Sequence, residues 1–328
     1  LVGSEMCIRD RKTAIIFLFL MVFVAAGISI FSKASKTSFV YRSKEPLKIG
    51  ATYMTLNNPF FSIIDEEIHN VVEANGDVLI SLDPALDLEK QKQQIQYLID
   101  QNVQAIIVNP VDFNGLTSSL EAAKKAGIPV IAVDSEVMDS DLITYSVMSN
   151  NYDAGVQCAK DMMKYKKKAD IVLLQHSTAY SAVQRIQGFI DTIKNDPNYR
   201  IVERIECDGQ LEIAMPLMQK FLEKDVSFDV VMALNDPSAL GALAAMQDQG
   251  KLKDVFVYGV DGTPETKTLI SEHIMQATVA QSPKTLGKMA AEAVYKIRNH
   301  EKIEKLQRIP VTIITQKNVG KYSLEGWQ

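Results

Sequence analysis

The sequence predicts an α/β protein with two doubly wound parallel-sheet lobes joined by a multi-strand hinge and preceded by an N-terminal membrane helix or signal segment. Three observations lead to this prediction. After Pro46, short apolar runs alternate with amphipathic stretches almost to the end of the chain, as in βαβ units. Eight such runs are present, more than one open sheet usually holds. An uncharged apolar stretch lies upstream, from Ala14 to Phe31.

The N-terminal part of the chain is set aside from the fold. We interpret residues 1–11 as a non-native leader, because the stretch does not begin with Met and resembles translated adaptor sequence. Residues 12–34 are a signal or anchor segment, in which an apolar run follows basic residues that are expected to stay cytoplasmic. A weak cleavage site ends at Ala34, so release and permanent anchoring both remain open. Residues 35–46 are polar and are expected to form a tether, which predicts an extracytoplasmic location.

The composition indicates a folded, mildly acidic protein. Hydrophobic residues make up 47% and charged residues 23%, and the net charge is −5, which gives enough material for cores and no sign of a nucleic-acid-binding face. The basic run from Lys164 to Lys168 ends a predicted helix, where cations complement the helix dipole. The spacing of Cys7, Cys158 and Cys207 matches no metal or redox motif. Buried free thiols are the commoner case, and a Cys158–Cys207 pair remains an alternative.

The apolar runs after Pro46 are predicted to be strands. They are apolar throughout, as strands covered on both faces must be. The helices between them have recognisable ends: Asn58-Pro59 predicts a cap followed by proline in the first turn, and Gly127-Ile128-Pro129 ends another helix. The predicted strands are Ile49 to Tyr53, Val78 to Leu82, Ala105 to Val108, Val130 to Val133, Ile171 to Leu174, Val230 to Leu234, Val255 to Val260 and Ala277 to Ala280.

Two lobes are assigned to these units. Residues 46–149 plus 282–310 are expected to form the N-terminal lobe, and residues 150–281 plus 311–328 the C-terminal lobe. Lobes of this kind close around a ligand by bending a few connecting residues. The predicted hinge positions are Ser149-Asn150, Gln281-Ser282 and Pro310-Val311.

Polar side chains follow most of the predicted strands. In open α/β sheets ligands bind beyond the carboxyl ends of the strands, so these side chains should converge on one cleft. Carboxylates and amides can bind adjacent hydroxyls, and Phe60 and Phe61 can pack on an apolar ring face. The pattern predicts a sugar or polyol ligand, with Asp83 and Asn109 assigned to turns and one of the two phenylalanines to the core. The strand-end residues are Asp83, Asn109, Asp134, Asn235, Asp236, Asp261 and Gln281.

In this order the segments resemble bacterial periplasmic sugar-binding proteins of the ribose-binding type, which have the type I periplasmic binding protein fold and serve sugar ABC transporters. The resemblance runs from about Leu47 to Val319. It is carried by Thr55 to Phe61, Asn109-Pro110, Val130 to Asp134, Asn235-Asp236 with Ala239 to Leu243, Gly259 to Pro264, and Ala277 to Gln281. It implies ligand contacts at Asn58, Phe60, Phe61, Asp134, Asn235, Asp261 and Gln281.

Three positions depart from the ribose-binding pattern. Ser135, which we keep as a candidate contact, stands where ribose binders carry an arginine. The segment Arg185 to Phe189 matches the family, but the resemblance implies a ligand-contacting arginine at position 183, which is Val183 here. An aromatic contact is replaced by Gly209. Loss of these groups predicts a ligand other than ribose.

Other functions lack their signatures. A DNA-binding regulator would need a helix-turn-helix before the first lobe, where this chain has an apolar segment. No Gly-x-Gly-x-x-Gly follows the first strand, as a nicotinamide enzyme would require. His176 lies beside Ser177 without a nucleophile elbow, so it is expected to be a loop histidine, with ligand contact as the alternative. We therefore expect a non-enzymatic protein without catalytic residues, metal or cofactor.

The expected partners are a small-molecule sugar or polyol and an ABC permease, with membrane contact through the N-terminal segment, no nucleic acid, and a monomeric state. The alternative is a membrane-tethered sugar sensor that presents ligand occupancy to a two-component kinase or chemoreceptor. The sequence leaves this choice and the identity of the sugar open. Trp327 is the only tryptophan and lies at the end of the chain, so its fluorescence is not expected to report binding.

Overall fold

A computed structural model describes residues 45–327 of the chain. The predicted leader, the signal or anchor segment and nearly all of the tether therefore lie outside the described residues. Within the described part of the chain, no helix combines the length and apolar character needed to cross a membrane.

The described residues form twelve strands and nine α-helices in an alternating order. The first part of the chain contains β1 (Lys48–Thr52), α1 (Pro59–Ala74), β2 (Val78–Leu82), α2 (Leu88–Asp100), β3 (Ala105–Val108), α3 (Thr117–Lys125), β4 (Val130–Val133) and β5 (Tyr145–Ser149). The remainder contains α4 (Asn151–Tyr165), β6 (Ala169–Gln175), α5 (Tyr180–Ile193), β7 (Tyr199–Glu206), α6 (Leu211–Leu222), β8 (Val230–Ala233), α7 (Asp236–Asp248), β9 (Phe256–Asp261), α8 (Pro264–Ser271), β10 (Ala277–Ala280), α9 (Pro283–Arg298), β11 (Leu306–Ile309) and β12 (Thr312–Thr315).

These strands form two six-stranded sheets. The first has the order β2-β1-β3-β4-β5-β11, and all of its neighbouring strands are parallel. The second has the order β7-β6-β8-β9-β10-β12, with only β12 antiparallel to its neighbour. We call the first sheet with α1, α2, α3 and α9 the first lobe, and the second sheet with α4 to α8 the second lobe. The predicted α/β class with two mainly parallel sheets is confirmed.

The chain passes between the two sheets three times: after β5, after β10, and between β11 and β12. Helix α9 follows a strand of the second sheet but packs on α1, β4 and β5 of the first lobe. Each lobe is therefore assembled from separate stretches of chain. Bending at the three connections stays a prediction.

Four observed strands were absent from the sequence prediction, and three of them are at sheet edges. Strands β7, β11 and β12 each have one neighbour, and their residues alternate between partly buried and exposed positions. An apolar run is the signal of a strand covered on both faces, and these three edge strands lack one, whereas the edge strand β2 has such a run and was predicted. The fourth, β5, is internal, but its sequence YSVMS contains polar residues at half-buried or buried positions.

The predicted helix starts follow from local capping. The Asn58 side chain accepts a hydrogen bond from the Phe60 amide at 3.0 Å, and Pro59 occupies the first turn of α1. The Asp87 side chain caps α2 in the same way, accepting from the Lys90 amide at 2.9 Å. Such caps satisfy main-chain donors that have no partner within the helix.

The two described cysteines are free and buried. The Cys158 thiol lies 3.8 Å from the Gly259 carbonyl oxygen, whereas the Cys207 thiol lies 3.3 Å from Ser238 Oγ. They therefore do not form the disulfide that the sequence left as an alternative. Burial raises the pKa of Cys207 to about 11 and that of Cys158 further, so both act as small apolar groups.

Candidate functional site

One cavity lies between the carboxyl ends of the two sheets. In each sheet the strand order reverses next to the first strand, at β1/β3 and at β6/β8, which is where α/β folds leave a crevice. The cavity encloses about 360 Å³ of space free of protein atoms, including its mouth. Its lining includes every predicted site residue except Ser135, namely Asn58, Phe60, Phe61, Asp134, Asn235, Asp261 and Gln281.

The first lobe contributes the aromatic side of the cavity. Phe60 and Phe61 both line it, and their rings meet edge to face at 5.6 Å between centroids. Both rings are also packed in the hydrophobic core, so the structure does not divide them into one ligand residue and one core residue. Asn58 uses its side-chain oxygen to cap α1, which leaves its amide nitrogen as the group for a ligand.

Asp134 is the acidic group of the first lobe. It follows β4 directly and has a φ of 68°, a backbone conformation that non-glycine residues rarely adopt. Asn109 Nδ2 donates to Asp134 Oδ2 at 3.3 Å, so the strand-end asparagine assigned to a turn positions this carboxylate. Burial raises the pKa of Asp134 to about 6, although Arg185 and Asn109 act in the opposite direction. Its other oxygen, Oδ1, is buried without a hydrogen-bond partner among the described residues.

The second lobe presents a carboxylate and an amide that are already joined. Gln281 Nε2 donates to Asp261 Oδ1 at 2.7 Å. Asp261 Oδ2 and Gln281 Oε1 are both buried, and neither has a hydrogen-bond partner within residues 45–327. Burial raises the pKa of Asp261 well above its usual value; the Arg185 charge opposes this shift, whereas the nearby Asp236 adds to it. Like Asp134, Asp261 has a positive φ, 143°, so both carboxylates are held in unusual backbone conformations.

Arg185 lies between the two carboxylates. Its Nη2 is 3.9 Å from Asp134 Oδ1 and its Nη1 is 3.7 Å from Asp261 Oδ1. These distances bring opposite charges together without forming direct hydrogen bonds. The guanidinium is held by Asn151, whose Oδ1 accepts from Nε at 2.8 Å, and by the Leu234 carbonyl oxygen, 3.1 Å from Nη1. Its remaining N–H groups are available as donors to a ligand.

Arg185 was not among the ligand contacts predicted from the sequence. The resemblance placed the ligand arginine at position 183, and Val183 suggested that it was lost. In the structure the cavity arginine is Arg185, and Val183 is not part of the lining. The strand-end pattern could not identify Arg185 because it lies inside helix α5. The available signal was the matching segment from Arg185 to Phe189.

Ser135 was kept as a candidate ligand contact, but it does not line the cavity. Its Oγ accepts a hydrogen bond from the Ser181 amide at 3.1 Å, in the first turn of α5. The residue before that helix, Ala179, has no side chain that could cap it. A serine of the first lobe therefore caps a helix of the second lobe, so Ser135 joins the lobes rather than contacting a ligand.

Asn235 lines the cavity but has its polar groups engaged. Its Oδ1 accepts from the Ser238 amide at 3.0 Å and caps α7, and its Nδ2 donates to the Gly209 carbonyl oxygen at 2.9 Å. Gly209 has a φ of 70°, and a Cβ added there would lie 3.0 Å from Asn235 Nδ2. The second lobe thus has no aromatic ring at this position.

From the sequence, His176 was expected to be a loop histidine, with ligand contact as the alternative. The structure places it on the cavity surface. It directly follows β6, so the strand-end rule could have included it. Its Nε2 is 2.9 Å from Thr178 Oγ1 and 3.9 Å from Asp208 Oδ1. Burial lowers its pKa, while the Asp208 charge opposes this effect. The imidazole is therefore mainly neutral at pH 7 and adds a further polar group to the cavity.

Asp208 and Gln210, which follow β7, also line the cavity. The sequence analysis missed them because it did not predict β7 as a strand.

Comparison with known proteins identifies the family. The model of the periplasmic binding protein domain matches residues 49–302. The ribose import binding protein of Bacillus subtilis is 30% identical over 94% of this chain and 100% of its own length. A solute-binding protein from Bacillus halodurans with bound myo-inositol has a TM-score of 0.79 and 27% identity, covering 84% of this chain and 96% of its own. The binding component of the arabinose ABC transporter from Shewanella, bound to L-arabinofuranose, has a TM-score of 0.78 and 28% identity, covering 84% and 93%.

Proposed function

This chain belongs to the periplasmic binding protein family, and on that premise we propose that it captures a sugar or polyol outside the cytoplasmic membrane and delivers it to an ABC importer. One observation carries the choice of ligand. Three buried acceptors, Asp134 Oδ1, Asp261 Oδ2 and Gln281 Oε1, lack partners among the described residues and belong to side chains that line one cavity. Buried polar groups are nearly always hydrogen-bonded, so a ligand of this cavity must bring donors to several sides.

Hydroxyl groups can meet this requirement, because each of them both donates and accepts hydrogen bonds. Each hydroxyl can donate to a carboxylate or amide oxygen and can accept from the Arg185 guanidinium or the Asn58 amide. Hydrogen bonds to ionised groups are about twice as strong as neutral ones. A ligand without these hydroxyls would leave the polar groups buried and unpaired, so the site should reject it strongly. The rings of Phe60 and Phe61 can cover the apolar face of a sugar or cyclitol.

The charge of the cavity favours a neutral ligand. Two acidic side chains, Asp134 and Asp261, present acceptor oxygens on both sides of one guanidinium, so the oxygens of an anionic ligand would find few donors apart from Arg185. Arg185 is held within 4 Å of each carboxylate and balances part of their charge. A neutral polyol needs no additional counter-charge.

We further propose that the ligand is not ribose. Gly209 leaves the second lobe without the aromatic contact that the resemblance implies. Ser135 replaces an arginine and is used between the lobes, so Arg185 is the only arginine in the described cavity lining. The names of the relatives describe import, which favours import over the sensing alternative.

Thermal-shift screening of ligand-free protein tests the proposal. The protein is unfolded and refolded to remove bound solutes, and is then heated with D-ribose, L-arabinose, D-allose, D-glucose, myo-inositol, D-glucosamine, glutamate or citrate. A ligand present at about 100 times its Kd should stabilise the protein by about 2.7 kcal/mol. We expect the largest rise in Tm with a neutral sugar or cyclitol other than D-ribose. Stabilisation only by glutamate or citrate would contradict the ligand class, and a largest shift with D-ribose would contradict the exclusion of ribose.

A further inference from the structure

We propose that the C-terminal tail, residues 323–327, supports the ligand site from behind Phe60 and holds the closed lobes together through Trp327. The inference rests on the proposed function, since it concerns how the same cavity keeps its ligand. Three observations support it: the anchoring of the tail on the second lobe, the position of Trp327 on Phe60 of the first lobe, and the groove that the tail borders between the lobes.

The tail is anchored by a buried lysine. Lys267 in α8 is fully buried, and its Nζ donates to the main-chain carbonyl oxygens of Ser323, at 2.5 Å, and of Gly326. Burial of an ammonium group is costly unless it is hydrogen-bonded, and here the tail supplies acceptors for it. The short 3-10 helix from Val319 to Lys321, which precedes the tail, also packs on α8. The path of residues 323–327 is thus fixed relative to the second lobe.

Trp327 reaches the other lobe. Its ring packs against the ring of Phe60, with 5.7 Å between centroids and 61° between planes. Phe60 in turn meets Phe61 edge to face, and both phenylalanines line the ligand cavity. The three rings form a continuous row from the tail of the second lobe to the aromatic side of the ligand cavity. Any opening of the cleft that moves the lobes apart must separate Trp327 from Phe60.

The Trp327 ring also borders a mainly apolar groove between the lobes. Asn57 and Pro59 line it from the first lobe, and Leu211, Pro237 and Leu240 from the second. The groove shares Asn58 and Gln210 with the ligand cavity. Beside it, Asn57 Nδ2 donates to Glu212 Oε1 at 2.6 Å, which is another contact between the lobes. Trp327 therefore covers apolar surface at the seam next to the ligand, and closure removes this surface from water.

Affinity and dissociation rate test the role of Trp327. The ligand is whichever member of the panel above gives the largest rise in Tm. Trp327→Ala should raise the Kd about tenfold, mostly through faster dissociation, because the lost contact exists only in the closed state. Trp327→Phe should restore most of the affinity. Leu324→Ala, at an exposed position of the same tail, is the matched control and should bind as the wild type does. An unchanged Kd and dissociation rate for Trp327→Ala would overturn the inference.

Fluorescence gives a second readout, because Trp327 is the only tryptophan of the chain. Ligand should shift its emission to shorter wavelength and reduce quenching by acrylamide. This expectation reverses the one drawn from its position near the C-terminus. Unchanged emission with a ligand that binds in calorimetry would count against the inference alone. If no panel member binds, the proposed function fails, and the inference, which concerns the ligand-bound closed state, fails with it.

Discussion

The two lobes have the same order of strands in their sheets but contribute differently to the cavity. In each sheet the second strand lies at one edge and the first strand lies beside it, and the last strand is added at the far edge. The first lobe supplies two aromatic rings and one carboxylate, whereas the second lobe supplies a connected set of polar groups. Because the frameworks match, the difference arises from the few residues that follow the strands and begin the helices.

The polar groups of the second lobe are held by bonds within that lobe. Asn151 and the Leu234 carbonyl oxygen fix Arg185, and Gln281 fixes Asp261. Behind them, buried Asp236 accepts from the amides of Gly262 and Thr263 and from the hydroxyls of Thr266 and Thr278, which fixes the loop after Asp261. These contacts do not depend on the other lobe. The polar side of the cavity is therefore set within the second lobe alone.

The largest loss of ligand affinity is expected for substitution of Asp261. Asp261→Asn keeps the shape of the side chain but replaces one acceptor oxygen with an amide donor, so hydrogen bonds that this oxygen accepts from ligand hydroxyls are lost. We expect the Kd in calorimetry to rise about 100-fold or more. Asp83→Asn is the matched control, because Asp83 accepts from the Ala85 amide in a turn, and it should leave the Kd unchanged. A change of less than about threefold at Asp261 would mean that the second lobe does not provide the main polar contacts.

The second-largest loss of ligand affinity is expected for substitution of Arg185. Lysine cannot reproduce the bonds of Arg185 to Asn151 and Leu234 while it lies between two carboxylates, so Arg185→Lys should weaken binding about 10- to 30-fold. Arg200→Lys is the control, because Arg200 forms an exposed ion pair with Asp170. Titration calorimetry on both variants measures the difference. Equal affinities for the two variants would exclude a guanidinium contact with the ligand.

The carboxylate of the first lobe should make binding depend on pH. As the pH falls through about 6, Asp134 takes up a proton and loses its charge as an acceptor. Affinity should fall about tenfold between pH 7.5 and pH 5. The charged groups close to Asp134 are Arg185 and Asp261, and Asn109 donates to it. Constant affinity over this range would mean that Asp134 stays ionised or does not bind the ligand.

The same pKa has a consequence for stability. Because burial raises the pKa of Asp134 in the folded protein, its contribution to stability is present at low pH and is lost as the pH rises through about 6. At pH 7.5 the Asp134→Asn variant should therefore have a Tm about 3–6 °C higher than the wild type without ligand, although it binds ligand less tightly. Thermal scans at pH 7.5 and pH 5 measure this difference, which should shrink at pH 5. A lower Tm for the variant at both pH values would contradict it.

The smallest loss of ligand affinity is expected at Ser135, where the two lobes contact each other directly. Ser135→Ala removes the hydrogen bond to the Ser181 amide and leaves the start of α5 without that cap in the closed state. We expect a two- to threefold rise in Kd, about 0.5 kcal/mol, because a single neutral hydrogen bond contributes little. Ser140→Ala, at an exposed position of the first lobe, is the control. An effect as large as that of Asp261→Asn would place Ser135 in contact with the ligand after all.

The class of fold and many of the cavity residues could be predicted from the sequence, because both predictions use the same signal, an apolar run followed by a polar residue. A buried strand is an apolar run, and the polar residue after it marks the carboxyl end of the sheet. Asp134, Asp261 and Gln281 were found in this way. The edge strand β7 has no apolar run, so Asp208 and Gln210 at its end were missed along with it.

The remaining site residues could not be found from position in the sequence. Arg185 projects from inside a helix, and its role depends on where α5 lies relative to β4 and β9. Trp327 depends on the path of the tail, which Lys267 fixes through main-chain carbonyls that any sequence would offer. Ser135 has the expected place after a strand, but its hydroxyl is bonded to the Ser181 amide of the second lobe. Such roles are set by packing between distant parts of the chain.

The position of β11 and β12 has a consequence for how the protein is made. Each sheet receives its last strand from residues 306–315 of the 328-residue chain. During synthesis, the free edges of β5 and β10 therefore stay unpaired until residues 306–315 have left the ribosome. Domains generally fold as units, so neither sheet can be completed early. A nascent chain that stays unfinished in this way is a natural substrate for chaperones, and its exposed strand edges make it vulnerable to aggregation if synthesis stalls.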